Sequence, residues 1–117
     1  MTPHEAMAAW AAACTEYDDA SFPYIAARAA YEAAATEPST PDRDALRRAW
    51  AATVPARDVA RNAVFDAHAR ACLAYSATHG PDVADLFLRL TPRELGGPGQ
   101  VEATIAALLA PPTRPAQ

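Results

Sequence analysis

The chain has no lysine, two cysteines, four glycines and only 18 Leu, Ile, Val and Phe residues in 117. Each scarcity excludes something. Two cysteines cannot staple a disulfide scaffold. No apolar run approaches the roughly 20 residues that span a bilayer, so no membrane association is expected. The first ten residues, MTPHEAMAAW, carry no Lys or Arg ahead of their apolar stretch. A secretory signal is therefore not expected there, and the expected location is the cytoplasm. Bulky aliphatics below roughly 20% warn of disorder only when net charge is high, and here it is -4. Glycine-rich phosphate loops and period-two alternation are also missing, so neither a nucleotide cradle nor a strand is expected.

What is abundant is alanine, at 32 residues. Alanine is the strongest helix former because it loses no side-chain entropy on ordering. Order with a thin core follows: an all-α, small Ala-rich bundle of about five to six helices, four of them substantial, in antiparallel hairpins. All ten basic residues are arginine. With heavy Ala and Pro use, this suggests a GC-rich bacterial genome. Residues 1–37 hold six acids against Arg28, whereas 38–72 hold six Arg against four Asp. The slightly acidic sum argues against a dedicated nucleic-acid binder.

Start and stop signals divide the chain. Thr2-Pro3-His4-Glu5 is a capping box with Pro at the first helical position. Helix 1 then runs to about Asp18 on a Met7, Trp10, Cys14, Tyr17 stripe. Ser21-Phe22-Pro23 is expected to break the chain, and helix 2 runs to about Ala35. Thr40-Pro41 caps helix 3, which Pro55 ends or kinks near Val54. Helix 4 reaches Thr78 with Val59, Ala60, Ala63, Val64, Ala67, Ala71 and Tyr75 on its broad apolar side. His79-Gly80-Pro81 stops it. Helix 5 spans about 81–90 on Val83, Leu86, Phe87 and Leu90, with Leu88 opposite. Thr91-Pro92-Arg93-Glu94 is a second capping box, interrupted by Gly96-Gly97-Pro98-Gly99. Helix 6 carries Val101, Ile105, Leu108 and Leu109. A single helical domain over 1–110 and a disordered Pro-rich tail over 111–117 are expected.

Two short strings resemble known motifs. Trp10, Ala13, Cys14 and Tyr17, followed by Ala26, Ala33 and Pro38, resemble one tetratricopeptide repeat. Pro23 falls in its second helix, however, and no second unit follows, and a lone repeat cannot bury its own face. Leu90-Thr91-Pro92-Arg93-Glu94-Leu95 resembles the opening of a LuxR-type helix-turn-helix, but the glycines cut it off. Neither string assigns a family.

Candidate chemistry is sparse. His68 and Cys72 share a helix face, yet a zinc site needs two further ligands, with Cys14 and His79 the remaining soft candidates. No metal, cofactor or catalytic set is expected. Trp10, Tyr17, Tyr24, Tyr31, Trp50, His68 and Tyr75 are candidates for a ligand or partner groove, because Tyr and Trp suit interfaces. Arg43, Arg47, Arg48, Arg57 and Arg61 form a candidate basic patch. They equally suit a solvated face paired with Asp44 and Asp58, or the acidic surface (Glu16, Asp18, Asp19, Glu32) of a neighbouring subunit. The leading expectation is a non-catalytic, adaptor-like regulatory protein that acts through protein contacts and self-associates as a homodimer. A ligand-binding or catalytic bundle, with a site between helices 1 to 4, is the alternative. A nucleic-acid-associated regulator using the Arg43–Arg61 face is the third.

Overall fold

A computed structural model describes residues 1–36 and 42–109. The turn and Thr40 cap expected around 37–41, and the expected tail, lie outside the described residues. The fold is all-helical, and the described residues form four helices: α1 (Pro3–Ala35), α2 (Arg43–His79), α3 (Asp82–Arg89) and α4 (Val101–Leu109). No strand occurs among the described residues.

Among the described residues four helices stand where about five to six were expected, because the chain does not break at Pro23 or Pro55. Both prolines lie inside continuous helices. Each removes one backbone hydrogen bond, at a cost of about 3 kcal/mol in a helix interior. Both are exposed, as are Asp19 and Ala51, whose carbonyls lose their donors. Water can take those acceptors while the packed side of each helix runs on undisturbed.

Other local signals act as read. The Glu5 amide donates to Thr2 Oγ1 at 3.1 Å and caps α1. Gly80, at φ 91°, ends α2 with its amide on the Ser76 carbonyl. Thr91 and Glu94 form a reciprocal box: the Glu94 amide donates to Thr91 Oγ1 and the Thr91 amide to Glu94 Oε1. This box closes only a single turn. Gly96 and Gly97 take φ of 91° and 71°, a conformation that side chains with a Cβ resist. A Cβ at Gly96 would also sit 3.0 Å from Gln100 Cβ.

The described residues fall into two compact units: Met1–Ala11 with the chain from Asp66 onward, and Ala12–Phe65. The first unit contains the bulky core. Met7, Trp10, Tyr75, Val83, Leu86, Phe87, Leu95, Val101 and Ile105 are buried there. Leu88 faces out as expected, while Leu108 is exposed rather than inward.

The Ala12–Phe65 unit is a helical hairpin with a different interior. Its α1 seam has a seven-residue repeat, with Tyr17, Tyr24 and Tyr31 at one position and Ala13, Ala20, Ala27 and Ala34 at the other. A 3.5-residue period keeps such a seam against its partner helix. From α2, Leu46, Trp50, Thr53, Arg57, Ala60 and Val64 are half-buried in the same four-three spacing, with Val54, Asp58 and Ala63 half-buried beside them. Among the described residues of this unit only Ala13 and Ala34 are buried. Val59, expected on the inner face, is 71% exposed, and Phe22, Ile25 and Phe65 are 68%, 59% and 62% exposed.

Candidate functional site

The seven candidate groove residues belong to two clusters, one in each unit. In the Ala12–Phe65 hairpin, Tyr17, Tyr24 and Tyr31 of α1 interleave with Arg57, Trp50 and Arg43 of α2, each set spaced by seven. The Arg57 guanidinium lies 4.2 Å from the centre of the Tyr24 ring and 5.7 Å from that of Tyr17. Its Nη2 donates to Tyr17 Oη at 3.1 Å. Trp50 follows, with ring centres 6.0 Å from Tyr24 and 5.4 Å from Tyr31. Arg43 closes the series 5.9 Å from the Tyr31 ring. The result is a ladder: tyrosine, arginine, tyrosine, tryptophan, tyrosine, arginine. Cation–π and edge-to-face contacts of this kind contribute roughly 0.5–1.5 kcal/mol each.

The ladder is held by stacking more than by hydrogen bonds. Trp50 Nε1, Arg57 Nε and the neighbouring Ser21 Oγ are covered and have no hydrogen-bond partner among the described residues. Thr53 Oγ1, also in the seam, donates to the Trp50 carbonyl at 2.6 Å.

The candidate basic patch is therefore not one surface. Arg57 turns into the seam, Arg43 stacks on Tyr31, and Arg61 pairs with Asp58 at 3.5 Å. Arg47 and Arg48 are exposed. The inward role of Arg57 escaped sequence reasoning. Its signal was the exact seven-residue spacing of Arg43, Trp50 and Arg57, matching that of the tyrosines.

In the other unit, Trp10, His68 and Tyr75 gather around Phe87. Trp10 lies 4.8 Å from the His68 ring and 5.4 Å from Phe87, and Tyr75 lies 5.6 Å from Phe87. Burial pushes the Tyr75 phenol up, with the Glu102 charge adding to it. His68 Nε2 is 3.0 Å from the Phe87 carbonyl, which assigns that nitrogen as the donor, since a carbonyl only accepts. Cys72 Sγ lies 3.6 Å from the same nitrogen. Among the described residues no group of three or more His, Cys, Asp or Glu could hold a metal ion.

The thiols are set against nucleophilic work. Burial pushes Cys72 up, and burial with the Asp18 charge pushes Cys14 up. A raised pKa favours the neutral thiol in the fold. Each thiol thus contributes stability below its ordinary pKa, which is lost as pH rises through the folded value. At neutral pH both cysteines should alkylate more slowly than in the urea-unfolded chain, and the gap should close in alkali. Equal rates at neutral pH, measured by iodoacetamide trapping, would refute this.

No family model matches the chain, and neither the curated proteins nor the solved structures provide a match. No helix among the described residues is long and apolar enough to cross a membrane.

Proposed function

We propose that this chain is a non-catalytic helical interaction protein, adaptor-like and regulatory, that works through protein contacts on the outer face of its Ala12–Phe65 hairpin and self-associates. Its setting, in this reading, is the cytoplasm of a bacterium with a GC-rich genome. One observation carries the reading. In a unit whose described residues include only two buried ones, both alanines, four bulky apolar side chains (Phe22, Ile25, Val59 and Phe65) are each more than half exposed. Single exposed apolar residues are ordinary, but several on a hairpin with so little interior mark a surface that another chain covers. The inward-facing ladder leaves this outer surface free for a partner.

Site-specific photo-crosslinking tests it. A benzophenone amino acid placed at Phe22, Ile25 or Phe65 should trap a protein when the full chain is irradiated in its native host. Absence of protein adducts from all three positions would overturn the reading.

A further inference from the structure

We infer that the Ala12–Phe65 hairpin bends as two halves about the level of Tyr24, and that the Tyr24–Arg57 stack is the clasp that closes this hinge. The bend belongs to the hairpin itself and does not depend on what meets its outer face.

The two helix prolines place the hinge. Arg57 stacks on Tyr17 and Tyr24, and Trp50 contacts Tyr24 and Tyr31. The two helices therefore run antiparallel in this unit, and Tyr24 is level with the middle of the stretch from Trp50 to Arg57. On that register Pro23 and Pro55 stand level to within about one residue's rise, ~1.5 Å. A proline leaves the carbonyl four residues back without its helical donor, and it is the usual seat of a kink. Both helices are thus weakened at one level, so neither braces the other there.

The side-chain contacts respect the same division. One half is residues 12–22 with 56–65, and the other is 24–36 with 42–54. The Arg57–Tyr17 hydrogen bond and the Arg61–Asp58 pair lie within the first half. The Trp50 contacts with Tyr24 and Tyr31, the Arg43–Tyr31 stack, the Thr53–Trp50 hydrogen bond and the Arg28–Glu32 pair lie within the second. Of the ladder contacts, the Tyr24–Arg57 stack alone passes from one half to the other, at 4.2 Å. The buried alanines stand away from the hinge, Ala13 in the first half and Ala34 in the second. Little burial and missing backbone bonds are what give a segment low local stability. Ser21 Oγ and Arg57 Nε, each two residues from a proline, are covered and have no hydrogen-bond partner among the described residues. Water satisfies them when the halves part, which favours the opening. Phe22 and Ile25 straddle Pro23, and Val59 follows Pro55 by one turn, so bending reshapes the exposed apolar face.

Native-state amide hydrogen exchange of the full chain, followed by NMR, is the test. Amides at 24–27 and 56–59 should exchange about tenfold or more faster than amides two turns away in either half. Low urea should not speed them, because a local bend exposes little surface. Pro23→Ala should slow exchange on α2 at 56–59 as well as on its own helix. Pro55→Ala should likewise slow exchange on α1 at 24–27, each by about tenfold, because a hinge needs both helices to yield. Arg57→Gln unclasps the halves and should speed both segments. Arg43→Gln removes a stack within one half and should leave them unchanged. Unchanged helical circular dichroism checks that each variant folds, and the proline variants decide the matter if Arg57→Gln does not. Uniform protection along both helices overturns the proposal, as does exchange that accelerates with urea like the rest of the hairpin. Proline substitutions that act only on their own helix overturn it too, because the prolines are then two separate irregularities. Equal effects of Arg57→Gln and Arg43→Gln also overturn it, because no contact then closes a hinge.

Discussion

Phe87→Ala should remove about 3–5 kcal/mol of stability, the usual loss for deleting a buried aromatic ring. Phe87 is 2% exposed and lies against Trp10 and Tyr75, both buried. Its truncation leaves a cavity bordered by two large rings that cannot easily collapse into it. The change falls on the unit with the bulky core, and small domains have only about 5–15 kcal/mol in total. Urea unfolding followed by helical circular dichroism reads the loss directly. A change below about 1 kcal/mol, less than ordinary core truncations cost, would show that the ring is not a keystone of this unit.

Trp50→Ala should cost about 2–3 kcal/mol, less than a fully buried tryptophan because its side chain is only partly covered. It removes both the Tyr24 and Tyr31 contacts at once. Trp50→Phe should keep most of that stability. Its indole N–H has no acceptor among the described residues, so losing the donor strands no partner there. Thermal melts of the three proteins decide the matter. If Phe is as costly as Ala, the ladder depends on a polar contact at Nε1 and not on stacking.

The sequence revealed what was local. Thr2 with Glu5, and Gly80 before Pro81, act through atoms a few residues away, so their geometry follows from spacing alone. Pro23 and Pro55 misled because the cost of a helical proline depends on which side of the helix it faces, and that is settled by tertiary packing. Val59 misled for a related reason. Alanine is apolar whichever way it points, so the Ala-rich stripe of α2 leaves the wheel without a sharp polar edge that would set Val59 outside it. The ladder rungs needed the register between two helices. The seven-residue spacings were visible in the sequence, but which tyrosine meets which arginine was not. The division of the aromatic candidates between two units was hidden likewise, since Phe87, around which Trp10, His68 and Tyr75 gather, reaches them from a separate helix.

The ladder has one more property. The set on each helix reads the same from either end: three tyrosines on α1, and arginine, tryptophan, arginine on α2. Stacking therefore dictates spacing without dictating direction. Direction comes from the connection: the five residues at 37–41 extend at most about 3.5 Å each, far short of the length of a helix that α2 would have to travel back along to lie parallel to α1. A long flexible insertion there would remove that constraint, and the symmetric set on each helix would then tolerate both orientations. The brevity of the joint is thus part of how this chain specifies a single topology.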